Sequence, residues 1–205
     1  MTGGGERRDT VALSPSFFSR SALSVARELL GCEVVSLFGG GLTSGIITET
    51  EAYAGVLDRA CHAFAWHRTP RVESMYAAPG TAYVYLVYGL HNCLNVSCAT
   101  EGNPHAVLIR GLRPLRGVDE MARRRGLGTR AIGGEFPNPR LADGPGKLSV
   151  ALGVDRSADG IDLTDSAGPL FIAPGGGSPS YRSSSRVGID YSGEFARFRW
   201  RFLLD

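Results

Sequence analysis

The chain has 205 residues, 43% of them hydrophobic and 20% charged, which suffices for one well-buried core and is short for two full domains. No apolar run approaches the length of a membrane span, and the opening MTGGGERRDT lacks the apolar centre of a signal peptide, so a soluble cytoplasmic protein is expected. A net charge of +2 does not announce a nucleic-acid binder, yet Lys147 is the only lysine among 22 basic residues, leaving arginine, whose planar fork grips phosphate bidentately.

Residues 1 to 12 are glycine-rich and charged, without hydrophobic periodicity, and are expected to be a disordered tail ahead of a single domain over 13 to 205. In SPSFFSRSALSVARELLG, Ser14 or Ser16 can cap a helix, Pro15 suits a first helical position, and Leu23, Ala26 and Leu30 share a face before Gly31. The segments CEVVSLF, GLTSGIITETEAY, TAYVYLVYG, HNCLNVSC and HAVLIRGL are β-branched and aromatic, and glycine-containing turns separate them, as in a mostly antiparallel sheet. Short helices are predicted over 117 to 125 and 146 to 152. IDLTD, PLFIA and FRWRFLL read as strands, and PGGGSPSYRSSS as a loop. Helices on either side of a strand-rich centre predict one α+β domain with a curved, mostly antiparallel sheet.

Four cysteines, Cys32, Cys61, Cys93 and Cys98, form no CxxC pair and match no histidine at zinc spacing, so they are read as buried thiols, with no metal and no cofactor. Arg110, Arg113, Arg116, Arg123, Arg124, Arg125 and Arg130 crowd one stretch with only Asp119 and Glu120 as counter-charges, which predicts a basic face.

Two segments carry chemistry. Thr48-Glu49-Thr50-Glu51-Ala52-Tyr53 closes an apolar strand with two carboxylates and an aromatic, and alternation puts Glu49, Glu51 and Tyr53 on one face. TAYVYLVYGLHNCLNV is a hairpin in which Tyr83 and Tyr85 share a face and Tyr88 sits at a glycine-containing tip, either packed under a loop or held out toward a partner.

In order, ETEAYAGVLDRACHA, RTPRVESMY, PGTAYVYLVYGLHNCLNV, AVLIRGLRPL and GPGKLSVALGVD resemble the alkyladenine, or methylpurine, DNA glycosylase family from about Leu13 to the C-terminus. The resemblance implies a fold like the C-terminal domain of formyltransferases and a monofunctional enzyme. Its partner is double-stranded DNA, from which it flips and releases damaged purines: 3-methyladenine, 7-methylguanine, hypoxanthine or ethenoadenine. It further implies Glu51 as general base, Arg110 positioning nucleotide and water, and Tyr53, His62, Tyr85 and Asn95 around the base. Tyr88 becomes a minor-groove wedge and Lys147 a backbone contact. A cytoplasmic, nucleoid-associated bacterial monomer follows from the same resemblance.

Two rivals remain. A bifunctional glycosylase needs an amine nucleophile, and Lys147 is the single candidate, in a segment better suited to phosphate. A non-catalytic nucleic-acid-binding β-sheet module needs tyrosines and arginines but no carboxylate beside them. If Tyr85 and Asn95 line one pocket, the hairpin loop must be odd in length. Gly89, Leu90 and His91 as the loop pair Tyr88 with Asn92 and Tyr85 with Asn95.

Overall fold

The computed structural model describes residues 10–127, 139–177 and 179–205. Most of the expected tail and Arg130 lie outside the described residues. Eight strands are described: β1 (Glu33–Ser36), β2 (Thr43–Tyr53), β3 (Ala82–Val87), β4 (His91–Cys98), β5 (His105–Arg116), β6 (Leu170–Ala173), β7 (Tyr181–Ser184) and β8 (Arg201–Leu204). They form one antiparallel sheet in the order β3-β4-β5-β2-β1-β6, with β8 pairing both β2 and β7. With the flanking helices this is the expected single α+β domain. The long β2 is the spine: β5 runs along one side, while β1 and β8 divide the other.

Four helices accompany the sheet: α1 (Pro15–Phe18), α2 (Ala22–Glu28), α3 (Val118–Arg124) and α4 (Pro145–Leu152). The predicted first helix is therefore broken. Ser21 restarts it by accepting the Ser24 N–H, a capping bond a continuous helix would forgo, and the buried stripe becomes Ala22, Val25, Ala26 and Leu29. Two tail expectations also change. IDLTD supplies only a single bridge, Thr81 to Asp162, and the supposed loop PGGGSPSYRSSS contains β7, which pairs along β8 despite its polar composition.

The helices cover one face of the sheet. Val84, Leu94, Val96, Val107 and Ile109 point into the same core as Val25 of α2, Met121 of α3 and Leu148 of α4. On the opposite face Tyr83 and Ala106 pack with Cys61, Ala63, Val72, Met75 and Tyr76 from the long connection between β2 and β3. Alternation thus sorts each strand into a helix side and a second side roofed by loops.

Strand β2 changes sides midway. Ile47 pairs with Leu112 and both lie in the helix-side core, but the register slips at Thr48, and Glu49 then pairs with Gly111. Beyond the slip Thr50 and Ala52 face the helices, with the Thr50 hydroxyl donating to the Ala26 carbonyl at 2.7 Å. Since strand faces have period two, this irregularity turns Glu49, Glu51 and Tyr53 to the loop-roofed side; unbroken alternation from Ile47 would have buried both carboxylates under α2. Gly111 makes room for it, because a Cβ there would stand 3.0 Å from the Thr48 hydroxyl and 3.2 Å from Glu49 Cβ.

Candidate active site

The hairpin presents its tip through a three-residue loop, Tyr88, Gly89 and Leu90, with Val87 paired to His91, Tyr85 to Cys93 and Tyr83 to Asn95. The loop is odd in length, as expected, but begins one residue earlier, and Tyr85 faces Cys93 in place of Asn95. A register offset of two keeps parity, so Tyr83, Tyr85, Cys93 and Asn95 still share one face. Tyr88 and Gly89 both take positive φ, 51° and 70°, which closes the turn with the Leu90 N–H donating to the Val87 carbonyl. Tyr88 is left 92% exposed.

Beside that face lies a cavity of about 480 Å³ whose wall includes Tyr53, His62, Tyr85, Tyr88, Asn95 and Arg110. Six of the eight expected site residues therefore meet. Aromatic edges shape it: the His62 and Tyr85 rings are 4.7 Å apart at 81°, and Tyr83 and Tyr85 are 5.2 Å apart. His62 Nδ1 shares a 2.8 Å hydrogen bond with the Tyr83 hydroxyl. Burial, reinforced by the Arg71 guanidinium, pushes the His62 pKa below its ordinary value, favouring a neutral ring. Asn95 is tethered by its amide, which donates to the carbonyls of Tyr83 at 3.0 Å and Cys93 at 3.2 Å.

Glu51 is wholly buried and stands just behind the wall. One carboxylate oxygen accepts the Val187 N–H at 2.7 Å and lies 3.4 Å from Arg110 Nε, and the other accepts the Tyr53 hydroxyl at 2.8 Å. Tyr53, Arg110 and Val187 all line the cavity, so the three groups that hold the Glu51 carboxylate also touch the void. Burial raises the Glu51 pKa above its ordinary value, against the opposing pull of Arg110, the Val187 N–H and the Tyr53 hydroxyl. Glu49 holds Arg110 in place, its Oε1 accepting from Arg110 Nε at 2.8 Å and from Arg201 Nε at 2.6 Å. The expected common face of Glu49, Glu51 and Tyr53 is thus realised.

Lys147 does not reach the wall. Its ammonium pairs with Asp143 at 2.7 Å on the surface, while Pro145 of the same segment lines the cavity and Gly146 fits against His91. The expected basic face is largely consumed within the protein. Arg116 pairs with Glu33, Arg123 with Glu120, and Arg124 buries its guanidinium against Glu120, Thr43 and the carbonyls of Phe38 and Ala151. Arg125 donates to the Leu141 carbonyl. The four cysteines are free and buried, as read, and no cluster of potential metal ligands occurs among the described residues.

Sequence reasoning missed four contributors: Arg71, whose guanidinium lies 5.7 Å from the Tyr85 ring centre, Tyr191 on the wall, Val187, and the buried Arg186 beside it. The Val187 contribution is a backbone N–H and leaves no signature in side-chain identity. Arg186 adjoined a segment read as loop.

The family profile described as Methylpurine-DNA glycosylase (MPG) matches residues 16–205. Three bacterial relatives bear the name "Putative 3-methyladenine DNA glycosylase". That of Desulfitobacterium hafniense is 44% identical, covering 94% of this chain and 95% of the relative. That of Oceanobacillus iheyensis is 42% identical, covering 94% and 92%, and that of Clostridium perfringens strain SM101 is 38% identical, covering 94% and 95%.

Proposed function

The chain belongs to the methylpurine-DNA glycosylase family, and from that premise we propose that it is a monofunctional DNA glycosylase hydrolysing the bond between a damaged purine and deoxyribose. Residues 13 to 205 act as the single catalytic unit, working as a monomer on double-stranded DNA in the bacterial cytoplasm, at the nucleoid. The observation that carries this reading is the placement of Glu51: a buried carboxylate with raised pKa, held by three groups that themselves line an aromatic cavity.

The chemistry requires the nucleotide to leave the stack, because a sheet surface cannot reach a glycosidic nitrogen inside a duplex. Tyr88, exposed at the tip of the hairpin, fills the gap left behind. The base enters between Tyr53, His62 and Tyr85. A purine alkylated at N3 or N7 is cationic, and neutral His62 with two tyrosine faces attracts it by cation–π contact worth about 0.5–2 kcal/mol.

Glu51 then takes a proton from water as the water oxygen bonds to C1′, and the C1′–N bond breaks with its electron pair leaving on the base. For a cationic purine that pair neutralises the leaving group. Hypoxanthine or ethenoadenine leaves as an anion that takes a proton from solvent, and Glu51 gives its own proton back to solvent, so the proton count closes. The oxocarbenium-like sugar forms beside the Glu51 carboxylate, which stabilises it electrostatically. A carboxylate offers about four lone-pair directions; Val187 and Tyr53 each occupy one, and Arg110, whose Nε–H is given to Glu49, acts on Glu51 only by its charge at 3.4 Å, so lone pairs stay open to the water.

The test is chromatography of bases freed from methylated DNA and from duplexes carrying hypoxanthine or ethenoadenine. Release of damaged purines with accumulation of unbroken abasic strands is expected. Tight binding with no release would identify a recognition module, and strand scission trapped by borohydride would identify a lyase.

A further inference from the structure

Immediately before Val187 sits Arg186, an arginine buried with its partner as completely as any ion pair among the described residues. Its guanidinium donates to both oxygens of Asp58, Nη1 at 2.5 Å and Nη2 at 2.9 Å, with both side chains fully excluded from solvent. Nη1 also donates to the Ala52 carbonyl at 2.9 Å, and the guanidinium carbon lies 4.8 Å from the Tyr53 ring centre and 4.9 Å from that of Trp200. Asp58 is itself fixed, accepting from the N–H groups of Ala54 at 3.1 Å and Ala60 at 3.0 Å. Nothing in the proposed hydrolysis uses either side chain. A buried ion pair is a poor device for stability, since desolvation offsets most of its attraction, and its best-attested use is to fix one arrangement over others.

What it fixes is visible in its neighbours. The loop following β7 is tied to the end of β2 through the bond from Arg186 to the Ala52 carbonyl, and the next residue delivers its N–H to Glu51 at 2.7 Å. The guanidinium also backs the Tyr53 ring whose hydroxyl holds the other carboxylate oxygen. We propose that Arg186, clamped by Asp58, is a positioning residue that holds the Val187 N–H and the Tyr53 ring against Glu51 and so aims a free lone pair of the carboxylate at the cavity. The inference rests on Glu51 being the base.

Loosening the clamp withdraws the backbone donor and the backing of the Tyr53 ring, and leaves the other groups around Glu51 in place: Arg110 of β5, Glu49 of its own strand, Arg201 of β8, Tyr85 of β3 and Cys93 of β4. Fewer donors to the carboxylate favour its protonated form, so the acid limb of the rate profile moves to higher pH. Rate falls as well, because the base is mis-aimed.

The experiment compares parent, Arg186→Lys, Arg186→Met, Asp58→Asn and Glu51→Gln, recording melting temperature, Kd for a lesion-bearing duplex, and single-turnover base release from pH 4 to 9. Arg186→Lys and Asp58→Asn are expected to slow maximal release about 10- to 100-fold with Kd changed less than about threefold. Their acid limb is expected to rise by roughly half a pH unit to one unit. Arg186→Met is expected to lose more rate than Arg186→Lys. Asp58→Asn touches Arg186 but not Glu51, so it decides the matter if the Arg186 variants do not fold. Parent-like rates and acid limbs in Arg186→Lys and Asp58→Asn overturn the inference, as does a loss of rate, binding and melting temperature in proportion with the limb unmoved. If Glu51→Gln retains release, the base assignment itself fails, whatever the clamp variants do.

Discussion

Replacing Tyr88 with alanine removes the side chain that the account asks to hold the gap in the duplex. The residue is 92% exposed and retains the same positive-φ backbone whether its Cβ carries a phenol or a methyl, so folding stability should change by less than about 0.5 kcal/mol. On DNA, inserting the ring buries roughly 150 Å². At about 25 cal/mol per Å² that is worth about 4 kcal/mol. Ordering the side chain costs about 1 kcal/mol, leaving about 3 kcal/mol, a factor of ~100 in the population of the flipped state. The assay is single-turnover base release from one lesion in a duplex and in the matching single strand, below saturation. Tyr88→Ala should lose ~100-fold on the duplex and little on the single strand, where no stack must be held open. Equal losses on both substrates would place Tyr88 in the base pocket and refute the wedge, and no loss on either would leave it without a role.

At pH 7, Glu51→Gln should melt at a higher temperature than the parent. Burial raises the Glu51 pKa, so the charged form opposes folding as pH rises from the ordinary carboxylate value through the folded one, and thermal melts should converge toward pH 4. Arg124→Ala strips hydrogen bonds from the carbonyls of Phe38 and Ala151 and from Thr43. It should cost about 2–4 kcal/mol in denaturant titrations while leaving DNA affinity per folded molecule unchanged, the opposite of what a phosphate contact would give. Arg123→Ala, at a surface ion pair, should leave the melting curve where it is. Excess chelator should not slow base release, since a base and water suffice; inhibition reversed by added metal would contradict this.

The sheet was legible in the sequence because its central strands are β-branched and aromatic runs set off by glycine-containing turns; shared strand faces placed Glu51 with Tyr53, and the family resemblance gathered Tyr85, Asn95 and Arg110 with them. The hairpin register was off by two, yet the conclusion that Tyr85 and Asn95 face one side survived, because only parity matters for sidedness. Parity also concealed something. The same rule applied from Ile47 would have sent Glu51 into the core, and only the slip at Thr48 opposite Gly111 turns it outward. Where charge was counted along the chain, arginines bunched near 110–125 suggested a basic surface. Their partners Glu33, Glu49 and Glu120, and the carbonyls that Arg124 and Arg125 reach, come from elsewhere or from the same helix, and composition cannot see such pairing. The loop at 185–188 was the least legible element, since its contribution to Glu51 is a main-chain N–H delivered across 136 residues of sequence.

The most direct test of the account sets Glu51→Gln beside the parent on a duplex carrying a single hypoxanthine, measuring equilibrium binding and single-turnover base release on the same preparations. Glutamine matches glutamate in shape and can still accept from Val187, but it cannot take a proton from water. The account predicts binding within a few-fold of the parent and release slowed by about 10²–10⁴. Release at the parental rate, or its loss together with binding, would contradict the assignment of Glu51 as the base that activates water.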